Sequence, residues 1–218
     1  MDLHFPKDYW DQVAAEKQFH HPLRIDWLAS NLAGKDILDC GCGYGRLLGE
    51  LAKGGYRDTV GTDFSRGMLK RCAEMHPDVT LRLVQSDGRM LPFREASFDA
   101  VLLFALLTCM PGDSDQRSLL AEVSRVLRPG GLIYISDLLL NSDRRSVERY
   151  RRYVAAFDVY GVFSLPEGVT VRHHSESWIR EITDGYTEVK YEKFTVITMN
   201  GNQSAAFQYL GRISKGNE

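Results

Sequence analysis

One arrangement recurs along the first two-thirds of this chain: a short apolar run, an aspartate at or just beyond its end, then an amphipathic stretch. Ile37-Leu38 run into Asp39, Val60 leads to Asp63, and residues 81–84 lead to Asp87. Residues 100–104 follow Asp99, and residues 132–135 stop near Asp137. The stretches between them have helical spacing. Met68, Leu69 and Cys72 follow Ser65, whose hydroxyl suits a helix N-cap, and Pro77 bounds that helix. Leu119, Leu120, Val123, Val126 and Leu127 mark another, which Arg128-Pro129-Gly130-Gly131 is expected to close. Strands alternating with helices are joined by crossovers, so the sheet is expected to be mainly parallel and covered on both faces. The expected fold class is α/β, a doubly wound sheet of seven strands with the first five parallel.

The flanks differ. Tyr9, Val13 and Lys17, then Leu23, Trp27, Leu28 and Leu32, predict two short helices broken at Pro22. Residues 141–157 form a basic helical stretch, 158–174 read as irregular, and 177–182 as a short helix. Residues 188–198 and 204–210 flank Met199-Asn200-Gly201-Asn202, and Asn-Gly between strand-like runs predicts a closing antiparallel hairpin. The chain is thus expected to be one domain: a helical cover over 1–34, a ligand-binding core over 35–140, a lid insertion over 141–183, and a hairpin over 184–218.

Composition narrows the function classes. The 218 residues carry 27 Lys+Arg against 29 Asp+Glu, which excludes a globally basic nucleic-acid binder while leaving a local patch open. The longest apolar run, residues 100–110, falls far short of the roughly 20 residues of a membrane span. The start lacks a basic, then apolar, leader, and four cysteines are too few for a disulfide framework. A cytoplasmic enzyme with reduced thiols is the expectation.

The chemistry concentrates at Asp39-Cys40-Gly41-Cys42-Gly43-Tyr44-Gly45. Glycines let backbone approach a ligand where a Cβ would block it, and the following helix aims N–H groups at the same place. A nicotinamide loop requires G-x-G-x-x-G, but Arg46 stands at its third glycine. Asp39 would also repel a pyrophosphate and instead suits a cationic nucleoside. Asp63 ends the second strand, where an acid can accept from ribose hydroxyls, and Asp87 is placed for an exocyclic amine. Phe64 and Met68 would wall the base.

These residues, with Val60-Gly61-Thr62-Asp63-Phe64-Ser65, Asp87-Gly88-Arg89-Met90-Leu91-Pro92-Phe93, Ser97-Phe98-Asp99 and Glu122 through Gly131, resemble the class I S-adenosylmethionine-dependent methyltransferases. The small-molecule branch that includes quinone-biosynthesis enzymes is the most similar, over residues 35–139. The resemblance implies a Rossmann-like fold with S-adenosyl-L-methionine as cofactor. Asp39, Gly41 and Gly43 would meet its methionine part, Asp63 the ribose, and Asp87-Gly88 the adenine; Phe104 is a further candidate cofactor contact. It also implies an N-terminal aromatic seal, Tyr9 or Trp10. Relatives often carry histidine after the fourth strand, where this chain has Thr108-Cys109.

The acceptor is not inherited. Arg144, Arg145, Arg149, Arg151 and Arg152 are either a solvated helix face paired through Glu148, or a lid that receives an acceptor carboxylate or phosphate. Arg149 and Arg152 are the chosen candidates. His173-His174 are exposed loop residues or, if they face the cofactor, include a base that could deprotonate a hydroxyl or thiol; His173 is the candidate. His20-His21 share that ambiguity. The expected partner is a small-molecule acceptor, an anionic one if the arginines receive it, with an RNA acceptor or a non-catalytic cofactor-binding module as the alternatives. No catalytic residue and no metal ligand is assigned.

Overall fold

The structure is a computed structural model that describes residues 7–13, 18, 20–77 and 82–214. Lys17 and Leu81, used in the sequence reading, lie outside the described residues.

Two short helices, α1 (Lys7–Val13) and α2 (Ile25–Asn31), precede the core. The alternation then unfolds as β1 (Ile37–Cys40), α3 (Arg46–Lys53), β2 (Val60–Asp63), α4 (Arg66–Met75), β3 (Arg82–Gln85) and β4 (Phe98–Phe104). A 3-10 turn at Leu107–Cys109 leads to α5 (Asp113–Val126) and β5 (Leu127–Leu138). The remainder is α6 (Arg144–Phe157), β6 (Val162–Ser164), β7 (Thr170–Arg172), α7 (Glu176–Ile182), β8 (Tyr186–Ile197) and β9 (Gln203–Ile213). The main sheet has seven strands in the order β3-β2-β1-β4-β5-β9-β8. Its first five strands pair in parallel, and β9 runs antiparallel between β5 and β8. Strand order reverses between β1 and β4, and the crevice outside their carboxyl ends is where ligands enter such sheets.

Alternation along each strand divides the core. Leu38, Val101, Leu103, Ile133 and Ile135 pack with α5 and α7; Ile37, Ala100, Leu102, Leu132 and Tyr134 pack with Trp27, Leu28, Leu47 and Leu51. Each such fully buried aliphatic side chain stabilises the fold by about 1.5–3 kcal/mol. Ser65 caps α4 by accepting from Met68 N, as its position predicts.

Two expectations change. Arg128-Pro129-Gly130-Gly131 lies within β5 and does not close α5, which ends at Val126 because Leu127 already turns to extended backbone. Pro129 contributes, since it pushes the residue before it out of helical conformation. The irregular 158–174 segment contains a small antiparallel sheet, β6 with β7. Its Phe163, Val169 and Val171 form a separate core with Tyr150 of α6, too short in sequence for a clear alternation signal. No helix among the described residues is long and apolar enough to cross a membrane.

Candidate functional site

Two cavities open at the carboxyl ends of the strands. The first is lined by Asp39, Gly41, Gly43, Asp63, Phe64, Met68, Asp87, Gly88 and Phe104, so every residue expected around a nucleoside reaches one space. Three of them stand out electrostatically. Asp39 is 1% exposed, and its Oδ2 is buried without a hydrogen-bond partner. Burial pushes its carboxyl up to about 7, against the opposing pull of Arg46. Asp63 is likewise raised by burial, to about 6, although its oxygens accept from Gly43 N at 2.9 Å and Ser65 N at 2.8 Å. Asp87 behaves differently. It is exposed, and Arg89 donates to both its oxygens, which holds its carboxyl below the usual range. An amine arriving there would share Asp87 with Arg89.

The loop backbone explains the glycines. Gly45, at φ +80°, caps α3 against Cys72, whose Sγ would lie 2.3 Å from an added Cβ. Gly43, at φ +54°, has nothing within 4 Å of where a Cβ would stand. That open volume beside an orphaned, buried carboxylate oxygen fits a close-bound ligand with a cationic group.

The second cavity, about 290 Å³, lies between α6, the β6–β7 sheet and the tip of the β8–β9 hairpin. Trp10, Ala105 and Cys109 line both cavities and form the boundary between them. Trp10 is held there because α1 docks on α4: Asp11 Oδ1 accepts from Ser65 Oγ at 2.6 Å and from Gly67 N at 2.8 Å. Tyr9, the other candidate seal, lines neither cavity; its ring packs beside both the Trp10 and the Tyr150 clusters. Ala105 has φ +52°, an uncommon conformation for a residue with a Cβ. Its carbonyl accepts from Cys109 Sγ at 3.3 Å, and burial pushes that thiol well up, so Cys109 presents a neutral thiol to the boundary.

The basic helix divides between the two roles anticipated for it. Arg144 pairs with Glu148 at 2.7 Å on an exposed face, and Arg152 is exposed, with its guanidinium over the Tyr153 ring. Arg152 does not line the cavity, which corrects its selection: it sits three positions from Arg149, but that offset places it outside. Arg145 and Arg149 do line the cavity. Arg149 stacks on Phe163, with 3.7 Å from Cζ to the ring centroid.

The histidines are not exposed loop residues. His173 is 5% and His174 0% exposed, and burial lowers both to about 3. His174 is turned into the core, between Leu138 O at 3.1 Å and Gln116 Nε2 at 2.9 Å. His173 and His21 line the second cavity, and His21 is anchored by Ser136 Oγ at 2.9 Å. Sequence reasoning missed Asn141, Thr108 and the hairpin tip at 198–204 as cavity walls. The Asn-Gly signal marked the tip as a turn, and nothing local showed that it folds back over α6.

Residues 38–135 match the sequence profile of a family described as a methyltransferase domain. The ubiquinone biosynthesis O-methyltransferase of Methylococcus capsulatus is 29% identical over 180 residues, 79% of this chain and 70% of that protein. The phthiotriol/phenolphthiotriol dimycocerosates methyltransferase 1 of Mycobacterium ulcerans is 38% identical over 108 residues, 49% of this chain and 39% of that protein. The chain therefore spans between two-fifths and seven-tenths of these curated relatives. A SAM-dependent methyltransferase structure from Methanosarcina mazei superposes with a TM-score of 0.79, at 23% identity, over 86% of this chain and 97% of that one, a likeness of fold. Strand order, acid-tipped strands, glycine loop and profile agree in likening residues 38–135 to a methyltransferase domain.

Proposed function

We propose that this chain transfers a methyl group from S-adenosylmethionine to a small molecule bound in the second cavity. The observation that carries the reading is the shared boundary at Trp10, Ala105 and Cys109, which brings a donor space and an acceptor space together at the strand ends. When bound, the cofactor supplies an electrophilic sulfonium methyl, so the protein's task is to align the acceptor and exclude water. Asp39 would hold the ammonium group, Gly41 and Gly43 would admit the methionine part, and Asp63 would bind the ribose hydroxyls. Phe64 and Met68 would flank the base, with Asp87 and Gly88 at its edge. Phe104 would close the floor.

For the acceptor, Arg145 and Arg149 against the single carboxylate of Asp143 support an anionic molecule. Ubiquinone biosynthesis and phthiotriol dimycocerosates in the relatives' names support a small acceptor over a nucleic acid. The four described cysteines are free and buried, which supports a cytoplasmic setting.

Calorimetry with S-adenosylhomocysteine, followed by mass detection of methylated products from a panel of small acids, tests the reading. Saturable binding with a mass gain of one methyl group is expected. Binding without turnover on any acceptor would leave a cofactor-binding module. Affinity for NADH in place of S-adenosylhomocysteine would overturn the assignment.

A further inference from the structure

The wall of the acceptor cavity fixes which nitrogen of His173 carries its proton. Asn141 Oδ1 accepts from Ala205 N at 2.8 Å, and this sets the orientation of the amide. Its other end, Nδ2, therefore donates: to Ser204 Oγ at 2.9 Å and toward His173 Nδ1 at 3.1 Å, both nearer than Leu139 O at 3.5 Å. Tyr150 OH lies 2.7 Å from the same Nδ1 and accepts from Asn141 N at 3.2 Å, which leaves its proton for the imidazole. Nδ1 thus faces two donors and must accept. A neutral imidazole carries one N–H, so here the proton is on Nε2. With Nδ1 turned into the wall, Nε2–H is the edge left for the cavity that the ring lines. An imidazole held this way donates a hydrogen bond and has no lone pair to offer as a base.

The charge beside it is Arg149. Its guanidinium rests on Phe163, whose ring centroid is 5.1 Å from that of His173. Arg149 Nε is buried without a hydrogen-bond partner, and no carboxylate pairs with Arg149 among the described residues. Arg145, by contrast, already donates to Asn202 Oδ1 at 3.2 Å. A half-buried guanidinium stacked on one face, influenced by Asp143 but in no ion pair, next to a neutral donor, has the chemistry of an oxyanion receptor. The charge balance points to a monoanion. Two arginines face one aspartate, and Asp143 occupies the N-terminus of α6, where a phosphate would otherwise find free N–H groups.

Resting on the methyltransferase reading, we propose that Arg149 and His173 form a subsite for a carboxylate of the methyl acceptor, with His173 as a fixed Nε2–H donor and not a general base. Tyr150 and Asn141 are the positioning residues.

The experiment uses the full chain saturated with S-adenosylhomocysteine, so that loss of cofactor binding, which would sink the methyltransferase reading, is seen first and separately. Benzoate and phenylacetate are titrated calorimetrically beside their amides and benzylphosphonate. At least tenfold tighter binding of the carboxylates is expected. Arg149→Met should remove that preference with S-adenosylhomocysteine affinity unchanged. His173→Gln, which retains a donor, should keep more of the preference than His173→Leu. Nitrogen-15 NMR of the imidazoles should show the Nε2–H tautomer for His173, a signature that a merely space-filling ring need not have. Equal binding or no binding of carboxylate and amide, a preference that survives Arg149→Met, tighter binding of the phosphonate, or an Nδ1–H tautomer would each overturn the proposal.

Discussion

The donor and acceptor cavities meet at three residues, yet they are built by opposite means and carry opposite charge. The donor cavity takes Asp39, Asp63 and Asp87 from three strand ends, each followed within a few residues by the loop or helix start that completes it. The acceptor cavity takes walls from α1, residues 20–21, the turn after β4, α6, β6–β7 and the hairpin tip, and its charge is mostly basic. Burial acts on both with opposite sign. It raises Asp39 and Asp63 toward neutrality and holds His21 and His173 neutral by lowering them to about 3. The carboxyls of the first cavity are therefore poised to ionise beside a cation, whereas the second places neutral imidazoles near a guanidinium. Such a division suits a cationic donor beside an anionic acceptor.

The largest expected effect breaks the donor side alone. Asp63→Ala removes the acid at the β2 end, and calorimetry should find S-adenosylmethionine bound roughly 100-fold more weakly, the upper range for a hydrogen bond to a charged group. The circular dichroism spectrum should be unchanged, and unchanged affinity would remove the ribose assignment.

Next, Asp39→Asn keeps the shape and deletes the charge, for roughly a tenfold loss of cofactor affinity. The wild-type affinity should rise from pH 5 to 8, because a cationic ligand favours the ionised carboxyls that titrate near 7 and 6. Asp39→Asn should flatten that rise, and an unaltered pH profile would count against the pairing.

Stability sharpens the contrast further. Asp39, Asp63 and Asp137 have folded values raised to about 7, 6 and 7, so the native state holds their protons longer than the unfolded chain does. Their contribution is complete below about 4 and is lost as pH rises through 6 to 7. His21, His173 and His174 are lowered to about 3, so theirs is complete above about 6.5 and is lost as pH falls toward 3. The two slopes oppose each other between pH 4 and 6. Relative to the unliganded wild type, Asp39→Asn should make the melting temperature rise more steeply with pH across that interval. Calorimetric melts at four pH values check this.

The smallest effect lies outside both cavities. Arg152→Ala should leave acceptor KM unchanged and stability within about 0.5 kcal/mol, as expected for an exposed side chain. A raised KM would put the outer face of α6 into acceptor binding.

How much was legible follows from the same contrast. Asp39, the glycine loop, Asp63 and Ser65 announce themselves because strand end, turn and helix cap are neighbours in sequence, with spacing set by local geometry. Asn-Gly at 200–201 likewise gave the hairpin and the antiparallel end of the sheet. Arg149 and Arg152 are indistinguishable as a basic run, since helix spacing says which side chains share a face but not what that face meets. His173 and His174 are adjacent and chemically identical. Only the bridge between His174 and Leu139, just beyond the ends of β7 and β5, sends one into the core and leaves the other to the cavity.

The residues alone determined the alternating sheet, the acid-tipped strands and the nature of the donor, because each depends on contacts within about one strand–helix unit. The tertiary structure decided the second cavity, the separation of the arginines and the contacts that His173 Nδ1 makes in its wall. Those depend on Asn141, Tyr150, Ala205 and Phe163 meeting across as many as 64 sequence positions, a closure that long-range packing sets and no local pattern encodes.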